Sequence, residues 1–244
     1  MQKPTVRIIL CSSIFWILLV TISMLYTIIS LIISPLNIHL RHKIVTSWSY
    51  AFIFLAKFLC RVNYKVIGKE NIVKTPCIIA SNHQSMWETV AFNLVFPPHV
   101  WIMKKELLKM PFFGWTIATL SPIAIDRKNK SGSIAQILSQ GLKKIETGFW
   151  IMLYPEGTRV TPGKKIVFKS GAGRIATTLK LPIIPVSHNA GYILPKHSFC
   201  FYPGTVTIII APAIYPIEND TLESITRRLE ETVQQNLNTI LHKE

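Results

Sequence analysis

Acidic side chains are scarce in this sequence. Twelve Asp and Glu stand against 27 Lys and Arg among 244 residues, a formal net charge of +15. No acid precedes Glu70 and none lies between Gly157 and Ile217, while Glu218, Asp220, Glu223, Glu230, Glu231 and Glu244 crowd the C-terminal end. The body of the chain is therefore strongly basic, and such a field draws nucleic acid, an anionic leaflet or a phosphorylated substrate. Nucleic acid fits least, because the cations are scattered between apolar runs and the chain opens with a long apolar segment rather than a basic arm.

Cysteine is sparse as well. Cys11, Cys60, Cys77 and Cys200 lie far apart with no C-x-x-C pair, which argues against a disulfide framework and a zinc site and points to a reducing, cytoplasm-facing compartment. The nucleotide-binding spacings are also missing. "FKSGAGR" at 168–174 matches neither G-x-G-x-x-G nor G-x-x-x-x-G-K-[ST], so a glycine-rich helix start is a sufficient reading. Ser85 and Ser170 lack a G-x-S-x-G frame, which leaves nucleophilic serine hydrolysis without a motif. His39 and His42 have a spacing that could touch a metal, but beside Arg41 and Lys43 they read as interfacial. No metal and no cofactor is expected.

Long apolar runs are what the chain has in abundance. From Ile8 to Ser34 there is no charged residue, and about 20 predominantly apolar residues suffice to cross a bilayer core. The run exceeds the h-region of a signal peptide and no A-x-A-like site precedes Pro35, so it reads as a retained anchor. A second apolar segment at 44–60 carries Trp48, Tyr50 and Lys57; an interfacial helix with a snorkelling lysine and plain core are both compatible with it. Residues 1–62 are thus expected to form a membrane anchor. Lys3 and Arg7 flank the first run on one side and Arg41 and Lys43 on the other, but the cationic excess continues through Lys57, Arg61, Lys65 and Lys69. By the positive-inside rule this places the body on the cytoplasmic side of an inner membrane.

From residue 63 to 244 short β-type runs alternate with helical patterns. "YKVIG", "CIIAS", "VWIM", "PIAID", "WIMLY", "IIPVS" and "VTIIIA" are interleaved with helices near 85–96, 132–147 and 172–180. This alternation predicts an α/β domain with a largely parallel sheet flanked by helices, and the continuous apolar runs suit strands covered on both faces. The last segment, 221–241, repeats Leu222, Ile225, Leu229, Val233, Leu237 and Ile240 at three- and four-residue steps behind Asp220 and Glu223 in capping-box spacing. It predicts an amphipathic helix packed on the body, with a dimerising coiled coil as the alternative.

Ligands of open α/β sheets bind beyond the carboxyl ends of the strands, and three polar clusters follow β runs directly. "NHQSMWE" at 82–88 follows "CIIAS", Asp126 and Arg127 close "PIAID", and "PEGTR" at 155–159 follows "WIMLY". In the first cluster Ser85 and Glu88 have capping-box spacing. A carboxylate there can also reach back to His83, hold its tautomer and stabilise the imidazolium formed when the ring takes a proton. In the third, Glu156, Gly157, Thr158 and Arg159 gather a carboxylate, a flexible backbone, a hydroxyl and a guanidinium that suits a phosphate bidentately. A polar turn with a local Glu–Arg pair is the plainer reading, as is an Asp126–Arg127 surface pair for the second.

The four blocks "NHQSMWE", "SPIAIDR", "PEGTR" and "LPIIPV" occur in order over residues 64–212, with "KKELLKMPFFGW" ahead of the second. Together they resemble the 1-acylglycerol-3-phosphate acyltransferase family. The departure is Glu88 where that family usually has Asp, one methylene longer. The resemblance implies transfer of a fatty acyl group from an acyl thioester, on coenzyme A or acyl carrier protein, to lysophosphatidic acid, giving phosphatidic acid. It implies His83 as the base, Glu88 as its orienting carboxylate, and Arg127 and Arg159 as phosphate ligands, with Glu156, Gly157 and Thr158 in the phosphate loop. Membrane lipids, lysophosphatidic acid and the thioester donor would then be the partners. An acyltransferase for another lysophospholipid and a non-catalytic membrane-anchored lipid-binding protein are the alternatives.

Overall fold

A computed structural model describes residues 3–126 and 130–242. Three helices come first: α1 (Val6–Ile32), α2 (Ile38–Thr46) and α3 (Trp48–Cys60). The body then runs β1 (Val62–Ile67), β2 (Ile78–Ser81), α4 (Trp87–Val95), β3 (His99–Lys104), α5 (Phe113–Thr119), β4 (Ile123–Ile125) and α6 (Lys130–Glu146). It closes with β5 (Trp150–Leu153), α7 (Gly171–Leu179), β6 (Ile183–His188), α8 (Ala190–Ile193), β7 (Gly204–Ile210) and α9 (Leu222–Leu241). All seven β-type runs of the sequence are strands, and each expected helix of the body is present within a few residues.

The seven strands form one sheet in the order β1-β7-β6-β2-β5-β3-β4. Every neighbouring pair is parallel except β6 and β7, so β1 and β7 run opposite to the other five. Successive residues of a strand point to opposite faces, and in the central strands β2, β5 and β6 both faces are dry, whereas the edge strand β1 is largely exposed. Ile79, Met152, Ile184 and Val186 join a core with Phe52, Trp87 and Phe92 of α3 and α4. Ile78, Ala80, Ile151 and Ile183 join a second core with Ile137, Ile175 and Leu229 of α6, α7 and α9. Burial on both sides is why the central strands read as unbroken apolar runs.

The stripe expected on α9 is buried: Ile225, Leu229, Val233, Leu237 and Ile240 face the body, each contributing about 1.5–3 kcal/mol of burial. Its cap lies one residue later than the sequence reading. Thr221 accepts from the Ser224 N–H, while Asp220 takes the Ser224 hydroxyl and pairs with Arg228. Gly173 on α7 lets α9 pack closely, since a Cβ there would lie 2.8 Å from the Leu222 carbonyl oxygen. That contact accounts for a glycine in "FKSGAGR" without any nucleotide.

The N-terminal helices are apolar outward and tied to the body inward. Val6–Ile32 and Ile38–Cys60 are both long and apolar enough to cross a membrane. The polar residues of α1 serve as its tethers. Ser12 accepts from the Phe201 N–H at 2.9 Å, Trp16 donates to the Phe199 carbonyl at 2.7 Å, and Ser23 accepts from Trp48 at 3.0 Å. The second apolar segment begins at Ile38 rather than 44, because Asn37 caps it by accepting from the His39 N–H, and it divides at Ser47 into α2 and α3. His39 stacks on Phe149 and His42 donates to the His99 carbonyl, so both rings pack on the body.

Candidate active site

Strands β2 and β5 are sheet neighbours although far apart in sequence, which brings the loops after them together. The segment 82–86 leaves β2 with its first peptides held from two sides. Glu156 Oε1 accepts from the His83 N–H at 3.1 Å, and the Val160 N–H donates to the His83 carbonyl at 2.7 Å. The "PEGTR" loop and the residue that follows it thereby grip both ends of the His83 peptide. Gly157 makes the turn possible with φ of +72°, a region that disfavours residues with a Cβ.

The His83 ring is fixed at an edge and a face. Its Nδ1 lies 2.7 Å from Glu88 Oε1, and the ring stacks on Tyr154 with centroids 4.0 Å apart and planes 13° from parallel. Tyr154 shares a hydrogen bond with Thr89 at 3.1 Å, and burial, then the Glu88 charge, pushes its hydroxyl well above the usual range. Among the described residues Nε2 of His83 has no hydrogen-bond partner. With Nδ1–H donated to a carboxylate, the Nε2 lone pair is the one left to take a proton.

Glu88 is fully buried, and its Oε1 accepts three donors: His83 Nδ1, Gln84 N at 3.0 Å and Ser85 N at 2.9 Å. Ser85 Oγ accepts from the Trp87 N–H at 3.1 Å. Capping and imidazole orientation are thus carried by the same oxygen atom. Burial pushes the Glu88 carboxyl up, but the nearby His188 ring, the His83 bond and charge and the Ser85 N–H outweigh it and hold the group below its ordinary value. An ionised carboxylate accepts only, so His83 must carry its proton on Nδ1.

An acyltransferase family model matches residues 63–189, a span containing every group just described. A 1-acyl-sn-glycerol-3-phosphate acyltransferase of Pseudomonas aeruginosa is 38% identical over 203 residues, covering 82% of this chain and 79% of that protein. One of Saccharomyces cerevisiae is 32% identical over 197 residues, covering 78% and 63%. The chain belongs to this acyltransferase family. The crystal structure of the 1-acyl-sn-glycerophosphate acyltransferase PlsC from Thermotoga maritima superposes with a TM-score of 0.81 at 25% identity, over 96% of both chains.

The other site residues singled out in the sequence fall unevenly in this acyltransferase. Thr158 is exposed, and Arg159 is half-buried with its carbonyl accepting from Lys196 Nζ at 3.0 Å. Arg127 lies outside the described residues, on the segment after β4, a strand separated from β5 by β3. Two contributors escape the sequence reading, Tyr154 and His188, and Asn82, which it placed in the turn of the first cluster, is given no partner there. Asn82 and His188 are fully buried, and His188 ends β6, the neighbour of β2 on its other side. A polar pair directly after the run "IIPVS" is a signal of the same kind as the three clusters, visible once the strand order is known.

Glu156 differs from Glu88 in charge. Burial pushes its carboxyl from 4.5 up to about 8, against the Glu156 and His83 N–H groups and together with the Glu88 charge. The folded state therefore holds a proton that the unfolded chain releases above pH 4.5, so this group's contribution makes stability fall as pH rises from about 4.5 to 8. The slope is about 1.4 kcal/mol per pH unit. Glu156→Gln keeps an oxygen for the His83 N–H and removes the titration. Thermal unfolding of both proteins from pH 5 to 8 should give the variant the flatter dependence and the higher relative stability at pH 8; parallel curves would mean that Glu156 is ionised in the fold.

Proposed function

We propose that this acyltransferase moves a fatty acyl group from an acyl thioester to 1-acyl-sn-glycerol 3-phosphate, forming phosphatidic acid at a membrane surface. The observation that carries the reading is the His83–Glu88 bond facing the "PEGTR" loop, in a chain 38% identical to an enzyme named for that acceptor. His83 Nε2 takes the proton of the acceptor hydroxyl as its oxygen attacks the thioester carbonyl. Glu88 stabilises the imidazolium that forms. Collapse of the tetrahedral adduct expels the thiolate, which recovers the proton from His83. No acyl-enzyme is formed.

Arg159 and Arg127 are assigned to the acceptor phosphate, with Gly157 and Thr158 shaping the loop and Glu156 holding it to His83. The donor is a thioester on coenzyme A or acyl carrier protein, and no cofactor or metal takes part. Apolar side chains exposed along α1, with Tyr50, Phe54 and Phe58 on α3, suit burial in lipid. Lys57, Arg61, Lys65 and Lys69 then favour a cytoplasmic body on the inner membrane.

Purified protein in vesicles, given a panel of lysophospholipid acceptors with each donor, tests this. Phosphatidic acid should be the preferred product. Arg159→Lys should raise the acceptor KM more than the donor KM, because a point charge replaces a bidentate fork. A preference for an acceptor with a substituted phosphate would overturn the assignment.

A further inference from the structure

His188 is a buried titratable group that the mechanism above leaves unused. It ends β6, paired with Ile208 of β7 on one side and held by the His83 loop on the other. Its ring Nε2 lies 2.8 Å from the Asn82 carbonyl oxygen and 3.9 Å from Glu88 Oε1. Its Nδ1 accepts from the Ala190 N–H at 3.2 Å. A ring nitrogen that accepts an N–H carries no proton, so the proton sits on Nε2, donated to the Asn82 carbonyl oxygen with Glu88 Oε1 the next acceptor beyond it. The Asn82 side chain completes the clamp, accepting from the His188 N–H and donating to the His188 carbonyl, both at 3.0 Å. Three hydrogen bonds thus join the residue before His83 to the last residue of β6.

We infer that His188 is a positioning residue for the His83–Glu88 pair: its Nε2–H anchors the His83 loop to β6 and turns the positive end of an N–H dipole toward Glu88. The inference rests on the acyl-transfer reading above.

The other titratable or charged groups around the pair are Tyr154, Glu156 and Arg159 from the loop after β5. Against His188 itself stand the Phe92 ring of α4, Ile208 of β7 through strand pairing, and the His83 and Glu88 side chains. Burial lowers the His188 ring below its ordinary value, outweighing the opposing pull of Glu88 and the Asn82 carbonyl. The ring is therefore neutral, and the pull on Glu88 assigned to it above is that of the Nε2–H dipole and not of a full charge. A second imidazolium at this distance would compete with His83 for the Glu88 charge and make His83 the weaker base.

The same polarity fixes the sign of the test. Removing the Nε2–H raises the proton affinity of the His83–Glu88 pair, so the acidic limb of kcat/KM against pH moves to higher pH. His188→Asn withdraws the donor, because its amide stops short of the Nε2 position; His188→Gln keeps an N–H near that place. In vesicle assays with lysophosphatidic acid and an acyl thioester, His188→Asn should lose on the order of 10²-fold in kcat, a loop-misplacement effect. Both KM values should stay close to wild type while the acidic limb moves up. His188→Gln should keep kcat and limb near wild type.

An unmoved limb with near-normal kcat in His188→Asn would overturn the inference. If that variant fails to fold, a displaced limb or a collapsed kcat in folded His188→Gln would do the same. His83→Ala run alongside separates the failures. A fully active His83→Ala removes the acyl-transfer reading itself, whereas an inactive His83→Ala beside an unaffected His188→Asn removes only the role of His188.

Discussion

His83→Ala should lower kcat by about two to four orders of magnitude while the protein still folds. The expectation follows from where the ring's contacts go. Its Nδ1 and one face are committed to Glu88 and Tyr154, so nothing in the core depends on Nε2, and truncation leaves the Asn82 clamp intact. The peptide of residue 83 remains gripped through its N–H and carbonyl by the loop after β5. Thermal unfolding should therefore change little, and KM for both substrates should stay near wild type, because a proton acceptor acts in the transition state. Near-normal turnover in folded His83→Ala would remove the base from the mechanism.

The second large effect is at Glu88, where two roles meet on one oxygen. Glu88→Gln keeps an acceptor for the Gln84 and Ser85 N–H groups only if the amide oxygen takes the place of Oε1. Its NH2 then lands where Oε2 now has no partner among the described residues. The opposite rotamer donates toward His83 and strands the two backbone N–H groups instead. Either arrangement leaves buried polar groups unpaired, at about 1–3 kcal/mol, and both remove the charge that stabilises the imidazolium. Activity should fall by about three to four orders of magnitude, the scale seen when a comparable His-orienting carboxylate becomes an amide. Glu88→Asp keeps the carboxylate but draws it back by about 1.5 Å. It should retain at least ten times the activity of Glu88→Gln because the charge survives. Equal activity for Gln and Glu at this position would reduce Glu88 to a helix cap.

The body of the fold was legible because its elements obey strong local rules. Strands dry on both faces read as continuous apolar runs, and the α9 stripe repeats at helical spacing. Strand order is not local. Nothing in the chain between Ser81 and Trp150 announces that β2 and β5 are neighbours, or that β6 adds His188 on the other side of β2. For that reason Asn82, His83, Glu88 and the "PEGTR" loop were visible as separate clusters, while Tyr154, His188 and the pairing of Asn82 with His188 were not. The antiparallel run of β7 was hidden for the same reason, since a run such as "VTIIIA" carries no direction. Boundaries moved where side chains competed for the cap, as when Thr221 displaced Asp220 and Asn37 started the second apolar segment early.

The proton on His83 is the central claim, and it can be observed directly. Protein labelled with 15N-histidine, compared with His83→Ala to identify the resonances of residue 83, reports which ring nitrogen is protonated near neutral pH. The account predicts the Nδ1–H tautomer, its proton donated to Glu88 and Nε2 bearing the lone pair. An Nε2–H tautomer in the wild-type enzyme would contradict it, because the nitrogen that has to receive the acceptor's proton would already hold one.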